Sequence, residues 1–368
     1  MSLEAPHNRR GSRPSRPLLC GYYGEHNIGD DALLAVLLQQ LPAGVSPLVT
    51  AHDQEQVAQR FAVDTCDRRR PAAVLGALRH CDALVFGGGS LLQDATSFTS
   101  LVYYCGLILA ARSLGRPVLL WGQGLGPLKR RRSRWLVRAV LPFATAASWR
   151  DPASAAQARA WGVEATLGSD PVWALPATSW HGSGGPIVVC WRPVDQLHGT
   201  AWLPYLQALA ALASGSGREV LWLPFHAGQD EGLLASLQQS GLLPEALAAV
   251  SRPVHATDPQ GAMQLFAAAG LVLAMRLHAL ILAALAGSPC AALSYDPKVA
   301  AAAEAIGCPC HDLAAAPPPS LAECWQRCLD RPLPAERIEA QRRQAGVHQR
   351  VLDLLSSVQG RRLSGGPG

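Results

Sequence analysis

Charged side chains are scarce in this chain. Asp, Glu, Lys and Arg make up 16% of its 368 residues, against 49% hydrophobic ones. That balance suits a well-buried α/β protein of two ordinary-sized domains. Aromatic residues are few, at 6%, and they are not interleaved with Lys and Arg as in single-strand binders. The net charge of +5 alone says little about nucleic acid, but without that interleaving nucleic acid is not an expected partner. No stretch is long and clean enough to span a membrane. The best candidate, residues 271–293, carries Arg276, His278 and Pro289. The first sixteen residues are polar and basic and lack the apolar core of a signal peptide. The ten cysteines are scattered, with only Cys308/Cys310 and Cys324/Cys328 close together, and no zinc-ligand set follows. Reduced, structural cysteines are expected. The glycine-rich turns hold neither a Walker lysine nor a strict G-x-G-x-x-G. No carboxylate cluster suits magnesium, so no metal and no cofactor is expected. No short-period repeat is present.

Present throughout is an alternation of apolar strand-like and helical segments. Strands are read at 18–23, 83–86, 117–121 and 144–149, with helices at 32–41 and 100–114. After the Pro/Gly/Ser-rich stretch 176–186, a second series begins at 187–192 and continues at 219–224. Residues 250–254 can hold only an edge strand, because Pro253 would break a central ladder. The expectation is two Rossmann-like parallel-sheet domains facing a cleft, a GT-B-like α/β architecture. Its parts would be a disordered segment 1–16, an N-terminal domain 17–178, a linker 179–186, a C-terminal domain 187–358 and a disordered tail 359–368. The C-terminal helix, about 334–358, is expected to pack back across the junction.

The stretch 271–298 is the most informative. A buried strand, Leu271–Ala274, runs into Met275-Arg276-Leu277-His278; a helix follows, stopped by Gly287 and Pro289; a second strand then leads to Tyr295-Asp296-Pro297-Lys298. Strand ends and helix N-termini of such units share one rim, where ligands of open sheets bind and anions are favoured. Arg276, His278 and Lys298 there point to a small, multiply charged anion beside an acid/base. A surface arginine, a capping histidine and a solvated lysine are the alternative.

Three glycine-rich turns end successive strands of the N-terminal domain: 24–29, Gly87-Gly88-Gly89-Ser90 and 122–126. Such turns let backbone N–H groups approach a ligand closely, although tight turns need glycine in any case. Together they make a ligand-facing N-terminal domain, with Asn27, Asp30, Gly88, Gly89, Asp94 and Gln123 as candidate contacts. Asp30 and Asp31 could instead cap the first helix. The run Lys129-Arg130-Arg131-Arg132-Ser133-Arg134, with Arg138 beyond, is the strongest local charge. It is either a solvated helix face or a contact for a diphosphate or an anionic membrane surface.

Seven motifs occur in order: Asn27-Ile28-Gly29-Asp30-Asp31-Ala32, Gly87 to Asp94, Gly122 to Pro127, Ser148-Trp149-Arg150-Asp151, Asp170-Pro171, Arg276-Leu277-His278, and Tyr295-Asp296-Pro297-Lys298. In this order they resemble the polysaccharide pyruvyl transferase family, in its bacterial cell-wall (CsaB) type, from about Leu18 to Leu355. Asp30-Asp31 replaces the usual Asp-Glu, and Arg-Leu-His-Ala the commoner Arg-x-His-Gly. The resemblance implies a GT-B-like enzyme that moves pyruvate from phosphoenolpyruvate onto two sugar hydroxyls as a cyclic ketal, releasing phosphate. It places Arg150, Arg276 and Lys298 on phosphoenolpyruvate, assigns the N-terminal candidates to the acceptor, and makes His278 the catalytic residue, as acid, base or phosphate ligand. Arg192 is a further candidate. A lipid-linked or free glycan is the implied acceptor. The expected location is cytoplasmic, with Lys129–Arg138 as a peripheral contact at the inner membrane face. Two rivals remain. One is a GT-B glycosyltransferase using a nucleotide sugar, for which Gly228-Gln229-Asp230-Glu231 is the weak ribose-binding candidate. The other is a non-catalytic polysaccharide-binding protein.

Overall fold

The computed structural model describes residues 15–95, 97–164 and 166–364, with side chains up to residue 356. Seven strands form the first sheet: β1 (Pro17–Tyr23), β2 (Leu48–Ala51), β3 (Asp64–Asp67), β4 (Ala83–Gly87), β5 (Val118–Gln123), β6 (Ala146–Trp149) and β7 (Thr166–Leu167). Every pairing is parallel, in the order β3-β2-β1-β4-β5-β6-β7. Six strands form the second: β8 (Ile187–Cys190), β9 (Val220–Trp222), β10 (Ser251–Pro253), β11 (Leu271–Ala274), β12 (Cys290–Ser294) and β13 (Cys310–Asp312). These too are all parallel, ordered β10-β9-β8-β11-β12-β13. The central strands β4, β5, β8, β11 and β12 are buried along their whole length. That is why they read as unbroken apolar runs rather than as alternating ones. Each sheet reverses its strand order beside its first strand, at β1/β4 and β8/β11, where open sheets take ligands. The expected two-domain α/β architecture is the observed one. Pro253 does lie in the edge strand β10.

One apolar core runs through both domains. Helix Ile28–Gln39 contributes Ile28, Leu33, Leu34 and Leu37 to it, beside Met263 and Phe266 of helix Pro259–Ala267 and Leu280 to Leu285 of helix Leu277–Leu285. The rims also touch through backbone: Ile28 N donates to Phe225 O (3.0 Å) and Ala227 N to His26 O (3.1 Å). The linker is bonded to the second domain, with His181 N on Ala267 O (2.9 Å) and Trp180 Nε1 on Ala269 O (2.8 Å). The C-terminal helices, Ala335–Ala345 and Gln349–Ser364, return to the first domain. Ser169 Oγ donates to Gln341 O (2.7 Å), Gln349 Nε2 to Gln40 O (2.7 Å), and the buried His348 bonds Ser169 O through Nε2 (2.7 Å).

Three boundaries differ from expectation. Of the segment 1–16, residues 1–14 lie outside the described residues, while Ser15 bridges to Val45 and Arg16 pairs with Asp64. The final helix continues to Ser364, into the expected tail, of which 365–368 lie outside the described residues. The first helix begins at Ile28 rather than Ala32. Asn27 is its N-cap and accepts from Gly29 N (3.0 Å), so Asp30 and Asp31 fall in its first turn.

Candidate active site

The two rims meet in a cluster of cations around one serine. β4 ends in Gly87, and Gly88 and Gly89 take φ +79 and +73, a backbone that L side chains rarely adopt. This turn delivers Ser90. From β6, Arg150 donates Nη2 to Ser90 Oγ (3.2 Å). From the opposite domain, Lys298 donates Nζ to the same oxygen (2.9 Å). Lys298 follows Asp296, which caps helix Pro297–Ile306 and accepts from Lys298 N (3.0 Å). The turn after β5 closes over the cluster: a Cβ at Gly124 would lie 2.3 Å from Ser90 Oγ and 3.2 Å from Arg150 Nε.

Asp170 lies behind these cations. Its Oδ2 accepts from Arg150 Nη1 (2.7 Å), its Oδ1 accepts from Val172 N (3.0 Å), and His278 Nε2 is 3.6 Å from Oδ2. Burial alone would raise the pKa of this carboxyl. The Arg150 guanidinium first, and His278 second, outweigh burial and hold it well below the usual carboxylate range. Lys298 shifts downward, through burial and then the neighbouring Arg150 charge, against the pull of Asp296, Asp151 and Asp170. His278 sits in the first turn of helix Leu277–Leu285 and packs so tightly on the first helix that a Cβ at Gly29 would lie 2.1 Å from its Nδ1. Its Nε2 is buried and has no hydrogen-bond partner among the described residues. This buried imidazole nitrogen faces the Asp170 carboxylate at 3.6 Å, beyond hydrogen-bond distance, and so keeps the capacity to bond a ligand.

Arg150, His278 and Lys298, taken from three separate sequence motifs, therefore converge. Arg276 does not join them. Its Nε (3.0 Å) and Nη2 both bond the Asp230 carboxylate, and Nη2 also reaches Gln229 Oε1 (3.0 Å). Asp230, with its side chain wholly buried, further accepts from Phe225 N (3.1 Å) and His226 N (2.9 Å). Arg276 thus fixes the 225–230 turn, which carries the backbone bonds to the first domain. Arg192 donates to Tyr295 Oη (3.2 Å) and lies over its ring, 5.2 Å from the centroid.

Among the residues expected to face an acceptor, Asn27 holds Asp30 through Nδ2 (2.7 Å). Burial raises the Asp30 pKa, against the opposing charges of His278, Arg68, Arg150 and Arg276. Asp31 pairs with Arg60. Gln123 is fully buried, donates Nε2 to Gly88 O (2.7 Å), and leaves its Oε1 unpaired among the described residues. Asp94 is buried and spends both oxygens on the backbone N–H groups of Lys129 (2.7 Å) and Arg130 (2.9 Å), anchoring the basic helix Arg131–Val140.

Three further residues at the site carry no distinct sequence signal. Ser90 and Asp170 lie inside the motifs above as ordinary turn residues. His226 stands at the inter-domain bridge with Asn27; burial first, then Arg276, lowers its pKa. One available signal was composition: Lys298 is one of only two lysines in the chain.

The polysaccharide pyruvyl transferase family model matches residues 27–297, from the capping Asn27 to Pro297, the neighbour of Lys298. The chain belongs to the polysaccharide pyruvyl transferase family. No protein of curated function matches it by sequence. Among solved structures it is similar to the UDP-GlcNAc 2-epimerase of Methanocaldococcus jannaschii, at 9% identity and TM-score 0.60 over 93% of this chain and 99% of that one. It is also similar to MurG of Acinetobacter baumannii, at 14% identity and TM-score 0.52 over 94% and 100%. A third is HepE of Anabaena, solved with UDP and glucose, at 12% identity and TM-score 0.55 over 96% and 100%. These likenesses show the GT-B-like fold alone. A separate cavity of about 250 Å³ lies at the ends of β8–β10, lined by Trp191, Trp222, Asp230, Glu231 and His255 among others, and by no arginine or lysine.

Proposed function

We propose that this transferase-family protein moves pyruvate from phosphoenolpyruvate onto two hydroxyls of a surface-glycan sugar, as a cyclic ketal, with release of phosphate. The observation that carries the reading is the meeting of Arg150 and Lys298 on Ser90 Oγ, with the buried His278 Nε2 facing Asp170, the carboxylate that pairs with Arg150. Phosphoenolpyruvate presents a phosphate and a carboxylate, and two cations from opposite domains can each take one. Arginine offers a bidentate fork and lysine a point charge. Ser90 Oγ marks where an anionic oxygen would sit.

In this reading the enol carbon gains a proton and becomes a methyl group, leaving a cationic C2. A sugar hydroxyl attacks C2 and gives up its proton. The bond from C2 to the phosphate oxygen breaks, phosphate leaves, and the second hydroxyl closes the ketal. Of the two hydroxyl protons, one replaces that given to carbon and the other leaves with phosphate. Arg150 and Lys298 stabilise the departing charge. His278 is the proton carrier within reach, and Asp170 holds both His278 and Arg150 in place. The cell-wall type of acceptor, lipid-linked or free, rests on the motif order alone.

A nucleotide-sugar glycosyltransferase is the weaker reading. Of its ribose candidates, Asp230 is consumed by Arg276 while Glu231 lines the neighbouring cavity, whose lining contains no arginine or lysine for a diphosphate. The test is purified protein with phosphoenolpyruvate and a panel of lipid-linked and free glycans, read by mass spectrometry for a pyruvyl ketal and by phosphate release. Nucleotide release from a sugar donor, without phosphate release from phosphoenolpyruvate, would favour the rival.

A further inference from the structure

The 56 residues from Ala95 to Arg150 contain no aspartate or glutamate, but nine arginines and lysines. They build two helices, Phe98–Ser113 and Arg131–Val140, on one face of the first sheet. Their inner residues, Leu101, Tyr104 and Ile108 with Val137 and Val140, share one apolar cluster. Their outer surface is neither plainly polar nor plainly charged. Trp135 is 72% exposed, Phe143 45%, Val102 45% and Leu109 41%. Val102 and Leu109 are seven residues apart and so lie on one side of their helix. Between these apolar groups stand arginines. Arg132 lies over the Phe98 ring at 4.0 Å and Arg130 at 5.9 Å, while Arg134 Nε donates to Leu128 O (2.9 Å). Arg131 and Arg138 are exposed.

An exposed tryptophan costs free energy in water, and a row of arginines without carboxylates repels itself. An anionic bilayer relieves both costs. There the indole sits at headgroup depth and the guanidinium groups meet phosphates. We infer that this face docks on an anionic lipid membrane without spanning it. Among the described residues no helix is long and apolar enough to cross a bilayer. The position fits the active site. The turn that packs Gly124 against Ser90 and Arg150 leads through Lys129 and Arg130, clamped by Asp94, directly into the basic helix. A sugar carried on a membrane-embedded phosphate lipid would therefore lie near the cation cluster. This last link rests on the proposed reaction; the docking itself does not.

The test is co-sedimentation of the full chain with vesicles of phosphatidylcholine alone and of phosphatidylcholine with phosphatidylglycerol, at low and high salt. Binding is expected only with the anionic vesicles and only at low salt. Each arginine near such a surface contributes roughly a fivefold factor, so Arg131→Ser/Arg138→Ser should weaken partitioning about 25-fold. Trp135→Ser should weaken it at unchanged net charge. Arg343→Ser/Arg350→Ser, equal in charge but on the C-terminal helices, should leave it unchanged, and unaltered melting of each variant shows that its fold is intact. The inference is overturned if the native chain ignores anionic vesicles, if both arginine pairs weaken binding equally, or if RNA binds more tightly than the vesicles. Vesicle binding needs no donor substrate, so its failure would leave the proposed chemistry standing.

Discussion

Replacing Asp170 with asparagine isolates the electrostatics of the site. The substitution keeps the shape and one oxygen to accept from Val172 N, but removes the charge facing Arg150 and His278. Arg150 and Asp170 are 8% and 7% exposed, so the Asp170→Asn protein holds a buried guanidinium without its counter-ion. Breaking such a pair from one side costs about 3–5 kcal/mol. With an unfolding entropy of about 2.1 cal/mol/K per residue, a chain of this length should melt roughly 4–6 °C lower. The pH dependence has a definite sign. The Asp170 pKa is depressed in the folded state, so its contribution is fully present above the unfolded value of about 3.9 and fades as pH falls through the lower, folded value. The gap in melting temperature between native and Asp170→Asn proteins should stay constant from neutral to mildly acidic pH and close only in strong acid. Turnover should fall together with stability, because His278 loses the carboxylate beside its Nε2. An Asp170→Asn protein as stable as the native one at neutral pH, or a gap that widens in acid, would refute the reasoning.

Further outcomes follow from the other contacts. The Lys298 pKa is lowered by burial and by Arg150, so donor affinity should decline with rising pH before an ordinary lysine would lose its proton. Lys298→Arg, which stays charged, should flatten that decline in a plot of KM against pH. Arg276→Ala strands the buried Asp230 carboxylate and should cost about 3–5 kcal/mol in denaturant unfolding. Adding Asp230→Asn should restore part of this, whereas native stability with weakened donor binding would make Arg276 a donor ligand. Gly29→Ala puts a methyl 2.1 Å from His278 Nδ1 and should displace the imidazole, lowering kcat more than it raises the donor KM.

The parts legible in the sequence were those governed by local chemistry. β4, β5, β11 and β12 showed as apolar runs because parallel strands are buried on both faces. β2, β3, β7 and β13 did not, because two to four residues, polar in Asp64–Asp67 and Cys310–Asp312, carry no such signal. The rim motifs brought Arg150, His278 and Lys298 into view, but not their meeting on Ser90, which depends on how two domains face each other. Arg276 read as a free cation because its partner, Asp230, lies 46 positions earlier. Asp94 read as a possible sugar ligand because the backbone it caps lies 35 positions later.

The central claim concerns a single bond, between C2 of phosphoenolpyruvate and its bridging oxygen. Phosphoenolpyruvate labelled with heavy oxygen at that bridge should be incubated with the full chain and a glycan acceptor, and the phosphate released should be weighed. The account predicts phosphate that retains the label, formed in step with a pyruvyl ketal on the sugar, and neither product when His278 is alanine. Unlabelled phosphate, or a labelled phosphate that forms as fast with His278→Ala, would contradict it.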